Sequence, residues 1–426
     1  MKSSLQFSYG IIAAVSCVAM SGAPVCAFAN TQDWIEQKVS ADDASLHSGF
    51  GRAAVVVGDI AFVGVPNEQG PGSVYVFTRS GGTWTQTQKL TPTESPAGAD
   101  FGYSIAANAT TAIIGAPFTT LTNDGNRHQG AAYVFTNDGG TWTQAQELIA
   151  GDFAAENQFG NSVAISGDTI LIAAYNAQIG ENPYQGAAYI FTGSGGTWTQ
   201  AQKLVASDGA GGDDFGSSVA MSGTTAFIGA PYAAGANSQQ GAAYIFTSTD
   251  GVWSEQQRIV ADDGQSFDDF GAALAFDGTT AAIGANYAGA GEGAVYVFTN
   301  DGDSWNQAQT LSPNDSGGSD DFAVSVAVDG ATIVAGAAFA TIGDNFGQGA
   351  AYVFTGAGSD WAQTAKLVAD DGAASDFFGY AVAVGGNTAL IGSPFNAVGG
   401  LNGAGAAYFF TQPLPDLIFG NGFENP

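Results

Sequence analysis

Seven tryptophans, seven Phe-Gly-like pairs and seven Tyr-x-Phe triplets recur in one fixed order along 426 residues, and together they predict an all-β, seven-bladed propeller. The tryptophans are Trp34, Trp84, Trp142, Trp198, Trp253, Trp305 and Trp361, spaced 50, 58, 56, 55, 52 and 56 residues apart. The pairs begin at Phe50, Phe101, Phe159, Phe215, Phe270, Phe322 and Phe378; the sixth departs, with Ala323 in place of Gly. Sixteen residues after each Phe ends a small triplet. It reads Gly-Val-Pro at 64–66, Gly-Ala-Pro at 115–117 and 229–231, and Gly-Ser-Pro at 392–394, and is degraded in units three, five and six. The Tyr-x-Phe triplets start at Tyr75, Tyr133, Tyr189, Tyr244, Tyr296, Tyr352 and Tyr408.

Each unit reads as four short strands. In unit four, 217–221 alternates around small residues and Ser222-Gly223 makes a tight turn. A second strand at 225–230 is closed by Pro231. A third, rich in aromatic and β-branched residues, covers 242–247, and a fourth covers 253–259. No sustained helical period interrupts the pattern. The ends complement each other: 34–39 is a lone fourth strand and 406–411 a lone third strand. Pairing them antiparallel closes the ring with the N-terminal strand, removes two free edges and brings the count to 28 strands. An open solenoid would leave both half-blades unexplained. The propeller, 30–411, is then a single domain followed by a tail at 412–426.

The Phe-Gly pair, the sixteen-residue spacing and the Gly-Ala-Pro triplet resemble the FG-GAP repeat of the integrin alpha-chain propeller and of secreted bacterial proteins. The resemblance covers nearly all of 34–411 and implies adhesion or extracellular recognition. Integrin-type repeats often carry a calcium loop between the Phe-Gly and Gly-Ala-Pro strands. Here that connection is a short turn (Ser166-Gly167, Ser222-Gly223, Asp277-Gly278, Asp329-Gly330, Gly385-Gly386), too small for an ion that takes six to eight oxygens. The pattern resembles the bacterial branch, in which that loop is short.

The first residues read as a secretory signal peptide: Lys2, an apolar run over 9–20, and Ala27-Phe28-Ala29 as a small-x-small cleavage site. The run is shorter than the ~20 residues of a membrane span. A lipoprotein site at Cys17 is disfavoured, because Ala14-Val15-Ser16 lacks the usual large aliphatic residue. Cleavage after Ala29 would remove Cys17 and Cys26, the two cysteines of the chain, leaving no thiol for disulfide, nucleophile or metal. The expected location is secreted or cell surface, with the periplasm as a further compartment, and the expected state a monomer.

A net charge of −30 argues against nucleic acid or an anionic membrane surface as partner. At 45% hydrophobic the chain is too apolar for an acidic disordered segment. Charge concentrates in the links between units: the ten residues before each Phe hold 19 of the 39 Asp and Glu. The richest hold Asp208, Asp213 and Asp214; Asp262, Asp263, Asp268 and Asp269; Asp315, Asp320 and Asp321; and Asp370, Asp371 and Asp376. Three readings stay open. Asp side chains cap tight turns and confer solubility; they are candidate ligands of Ca²⁺; or they meet a cationic partner.

The segment after each Gly-Ala-Pro-like triplet is the one that varies, running 6, 13, 11, 10, 7, 11 and 11 residues to the Gly before the third strand. Strand alternation brings these loops out on the same face as the links, and varied loops on a rigid scaffold are where binding usually sits. Phe118, Tyr184, Tyr232, Tyr287 and Phe395 lie in them and are the candidate contact residues. The repeated Trp is better explained by packing between blades than by sugar stacking. His47 and His128 lie in different kinds of loop, and no His-x-x-x-His, Gly-x-Ser-x-Gly or Gly-Lys phosphate motif occurs. No catalytic residue or cofactor is assigned. The function read is a non-enzymatic recognition or adhesion module for an extracellular protein or glycan. The alternatives are a carbohydrate-active hydrolase or lyase using paired Asp, and a structural envelope protein. The tail weakly resembles short tails on exported Gram-negative proteins.

Overall fold

The computed structural model describes residues 34–121, 127–152, 154–315, 317–318 and 320–413. The signal segment read at 1–29 and nearly all of the tail lie outside the described residues.

Seven four-stranded antiparallel sheets form a ring, and consecutive strands are neighbours in six of them. Blade 4 is typical: Val219–Ser222, Thr225–Ala230, Ala242–Thr249 and Val252–Ile259, from the channel outward. The second strand of this blade has the bounds read from sequence; the first begins two residues later and the third runs two residues further. Blade 7 is composite. Its first three strands are Ala381–Gly385, Thr388–Ser393 and Ala406–Thr411, and its outer strand is Ile35–Val39 from the other end of the chain. The N-terminal strand thus closes the ring.

Small, β-branched and aromatic residues make these strands because every second strand is covered on both faces. Thr225–Ala230 and its six equivalents are buried almost throughout. The hairpins joining first to second strands are two-residue loops in blades 3, 4, 6 and 7, one residue later than the sequence suggests: Gly167, Gly223, Gly330 and Gly386 lead them at φ +55 to +58°, where a side chain would be strained. In blade 5 the turn is longer, and the Asp277 carboxylate holds it by accepting the Thr279 and Thr280 N–H groups at 2.8 and 2.9 Å.

The repeated motif is a blade-to-blade contact. Within a blade, the Gly216 N–H donates to the Gly229 carbonyl at 2.8 Å. Across the junction, a Cβ on Gly229 would overlap the Gly271 carbonyl oxygen of the next blade. Both positions stay small because two backbones touch there. The ring's core fills the same wedge: Trp142 meets Phe62 of the preceding blade edge-on at 5.0 Å, and Trp84 stacks on Phe409 at 4.3 Å. Six of the tryptophans are buried. Truncating one to Ala typically costs about 3–5 kcal/mol.

Polar side chains brace the rim. Gln202 accepts the Trp253 N–H at 2.9 Å and donates to the Trp253 carbonyl at 2.7 Å, standing in for a peptide group between outer strands. Gln37, Gln88, Gln146, Gln257 and Gln309 do the same toward Trp84, Trp142, Trp198, Trp305 and Trp361. A one-residue bulge in each of the six outer strands that follow directly on their own third strand separates the bracing position, Gln in five of them, from the side chain that reaches the link. The closing strand pairs with Ala406–Thr411 in unbroken register and lacks the bulge, and Ala365 takes the bracing position facing it.

Candidate functional site

Links and variable loops emerge on one face, here the loop face, and the backbone pins them together. The Phe159, Phe215, Phe270 and Phe378 N–H groups donate to the carbonyls of Gln129, Gln185, Gln240 and Gln348, which precede the third strand of the blade before. To make that bridge, the residue before each Phe turns left-handed. Gly49, Asp100, Gln158, Asp214, Asp269, Asp321 and Phe377 all lie at φ +50 to +71°. Asp tolerates this region better than most residues, which accounts for part of its use here.

It does not account for where the side chains go. The carboxylates of Asp100, Asp214, Asp269 and Asp321 are half-buried and take no hydrogen bond or ion pair among the described residues. Burial, reinforced by Asp213, pushes the Asp214 carboxyl up to about 7. Burial and Asp268 push Asp269 up to about 6. Asp321 is raised by burial and Asp320, and Asp100 by burial against the opposing pull of Arg52.

Aromatic rings alternate with these acids. The residue following the Gly-Ala-Pro-like triplet is Phe118, Tyr232, Tyr287, Phe339 or Phe395 in five blades, and Asn67 or Asn176 in the other two. Tyr232, Tyr287 and Phe395 are exposed, as is Tyr184 further along its loop; Phe118 is half-buried against Tyr103 and His128. Phe339 meets Phe377 at a tilt at 4.7 Å, and Phe377 meets Phe395 edge-on at 5.2 Å. Tyr232 is raised by burial and then by Asp269 and Asp214; Tyr287 chiefly by the charge of Asp321. The belt continues past Tyr175 to Tyr103, where Arg52 lies over the rings of Tyr103 and Tyr380 at 5.6 and 4.9 Å. These three immediately precede the first strands of blades 1, 2 and 7, so they stand at the mouth of a central cavity of about 390 Å³ whose side chains are all apolar, Val56, Ile105, Leu274 and Val382 among them.

Most of the remaining link acids are occupied by the fold. Tyr408 donates to Asp371 at 2.8 Å, and Lys38 pairs with the same carboxylate at 2.6 Å. Tyr244 and Arg258 hold Asp208 likewise, Lys366 holds Asp315, and Asp263 lies beside Tyr296. In five blades the cation also lies over the Tyr ring, at 5.1 to 5.8 Å. Hydrogen bonds from Lys89 to Asp43, and from Lys366 to Asp315, hold those two carboxyls low. Asp213, Asp268, Asp320 and Asp376 accept the N–H three residues upstream at 2.7 to 3.0 Å. Asp262 and Asp370 are exposed. Among the described residues no three His, Cys, Asp or Glu side chains are grouped to hold a metal ion. His128 meets Glu156 at 3.0 Å, and His47 lies in the first link.

The FG-GAP repeat family matches residues 84–135, 142–191, 198–246, 253–298, 305–354 and 361–410. The chain belongs to the FG-GAP repeat family. Each matched FG-GAP segment runs from the Trp of one outer strand to the Phe of the next blade's Tyr-x-Phe triplet, so the sequence repeat straddles two blades. That offset leaves a spare strand at each end and makes closure by Ile35–Val39 a consequence of the repeat itself. A comparison with curated proteins finds no match. FG-GAP propellers are often protein-binding modules, and among the described residues no helix is long and apolar enough to cross a membrane.

Sequence reasoning placed Tyr232, Tyr287 and Phe395 on this face but missed Phe339, Arg52, Tyr103 and Tyr380. The usable signal was positional: Phe339 shares the offset of Tyr232, Tyr287 and Phe395 after the Gly-Ala-Pro-like triplet, and Arg52, Tyr103 and Tyr380 share the offset two residues after the Phe, where the other blades have Asn, Ser, Ala or Val.

Proposed function

We propose that this FG-GAP propeller is an exported, non-enzymatic recognition or adhesion module whose partner, a protein or glycan, docks on the loop face. The belt of exposed aromatics alternating with unpaired carboxylates carries the reading. Holding four half-buried carboxylates without partners disfavours the folded state, and exposed Tyr and Phe supply large contact area at low entropic cost. A partner with basic groups at its surface would relieve the first and use the second. The Lys2 and 9–20 leader pattern supports export.

The test is an array of extracellular polypeptides and polysaccharides probed with the wild type and with Tyr232→Ala/Tyr287→Ala. We expect saturable binding that the double variant loses while its melt is unchanged; binding equal in the two proteins would refute the assignment. One observation favours a second reading. A carboxyl raised to about 7, as Asp214 is, suits a general acid. Turnover on the polysaccharide panel that Asp214→Asn abolishes would make the module an enzyme.

A further inference from the structure

The loop face holds a cleft in blade 5. It lies between the link ending at Asp269 and the variable loop of blade 5, has a volume of about 590 Å³, and is walled by Phe267, Asp268, Tyr287 and Asp321. Phe267 is 59% and Tyr287 49% exposed, and the two rings wall the same cleft. Both are fixed by backbone. Phe267 sits at φ +69° with its N–H donated to the Ser238 and Gln239 carbonyls at 3.2 and 3.1 Å. The loop after Tyr287 folds back through Gly289 and Ala290, both at φ +65°, so the four-residue helical turn Ala288–Gly291 is left-handed at its centre. Such a conformation is strained for Ala290 and persists where surroundings enforce it, often at ligand sites. The Gly291 N–H closes the turn onto the Tyr287 carbonyl at 3.0 Å.

The cleft's charge is one-sided. Asp268 is 5% exposed and satisfied at one oxygen by the Gln265 N–H. The Asp321 carboxylate has no partner among the described residues, and Asp269 and Asp320 lie close behind. No Lys, Arg or His lines the site. Two accessible π faces beside two carboxylates attract a cation through both the ring quadrupole and direct charge. A neutral sugar would stack but leave the carboxylates uncompensated, and an anion would be repelled.

We propose that this cleft is a subsite for an organic ammonium group, with Phe267 and Tyr287 as its aromatic walls and Asp321 as its counter-ion. The proposal rests on the loop face being the recognition face and names the chemistry of one part of the ligand.

The experiment is isothermal titration of the full chain, at fixed sodium chloride, with three probes: choline, N-acetyl-lysine methylamide, and 3,3-dimethylbutan-1-ol as the uncharged isostere of choline. We expect an ammonium probe to saturate and the alcohol to bind at least about tenfold more weakly. Phe267→Ala and Asp321→Asn should each weaken the ammonium by about tenfold with a melt no lower than wild type, since Asn also accepts the left-handed backbone and removes an unpaired half-buried charge. Phe346→Ala, on the variable loop of blade 6, should change nothing. Tighter choline assigns a small methylated ammonium; tighter lysine assigns a polypeptide side chain; both support the subsite. No saturation by either ammonium up to roughly 10 mM, equal binding of the alcohol, or indifference to Asp321→Asn overturns it. If it is overturned while Tyr232→Ala still abolishes binding of the macromolecular partner, the subsite alone is lost. If choline binds and Tyr232→Ala leaves the partner bound, the broader reading fails.

Discussion

Replacing Gln202 by Ala tests how the blades are held together at the rim. The side chain makes two hydrogen bonds to the Trp253 backbone, at 2.9 and 2.7 Å, both partly buried. Each is worth about 1 kcal/mol net, and an orphaned backbone group costs more where water cannot reach it. Partial exposure lets water recover some of that, so the expected loss is about 1–2 kcal/mol. In a ring of this length unfolding as one unit, at roughly 2.1 cal/mol/K per residue, the melting temperature should fall by only about 1–3 °C. Chemical denaturation, read as a shift in midpoint at constant slope, is therefore the better assay. Gln88→Ala and Gln146→Ala should match it, because their geometry repeats. Ala365→Gln, at the junction that lacks a brace, should stabilise. A Gln202→Ala protein within about 0.3 kcal/mol of wild type would refute the brace as an energetic feature.

Three further outcomes follow from the same geometry. The melt should shift no more in millimolar Ca²⁺ than in Mg²⁺ at fixed ionic strength, because Asp208, Asp315 and Asp371 bond cations or tyrosines and Asp213, Asp268, Asp320 and Asp376 bond backbone; a rise specific to Ca²⁺ would show an ion site in the links. Asp214 and Asp269 titrate at about 7 and about 6 in the folded state, above the unfolded carboxyl, so between about pH 4 and 7 the folded chain holds protons that the unfolded chain has released. Stability should thus fall as pH rises through that window, and Asp214→Asn/Asp269→Asn should flatten the profile; below about pH 4 it should fall again as Asp43 and Asp315, held low by lysines, take up protons. Deleting 34–39 uncovers the edge of Ala406–Thr411, and should replace a single cooperative melt with early unfolding or aggregation; a deletion protein that still melts as one unit would contradict closure.

The architecture was legible because it is periodic. Each strand is short, each turn is marked by Gly, Asp or Pro, and seven copies average out local ambiguity. The half-blades at 34–39 and 406–411 announced closure because a ring cannot leave them unpaired. Side-chain roles were harder to read. The link acids form one compositional cluster in the sequence, yet the fold divides them by offset: Asp315 turns outward to Lys366, Asp320 caps its own link, and Asp321 lines the loop-face cleft beside Tyr287. One residue of register separates the capping carboxylate Asp320 from Asp321 in the cleft, and composition carries no register. Arg52 was illegible for the same reason, since its meaning lies in Tyr103 and Tyr380 from the two flanking blades.

The central claim is that recognition belongs to the loop face. The most direct measurement is equilibrium binding of the strongest array ligand to three proteins: the wild type, Tyr232→Ala/Tyr287→Ala on the loop face, and Val252→Ala/Arg79→Ala on the opposite, hairpin face. The account predicts a loss of at least about tenfold in the loop-face variant alone, as expected when exposed aromatic anchors are truncated. Binding that survives in that variant and is lost in the hairpin-face variant would contradict it.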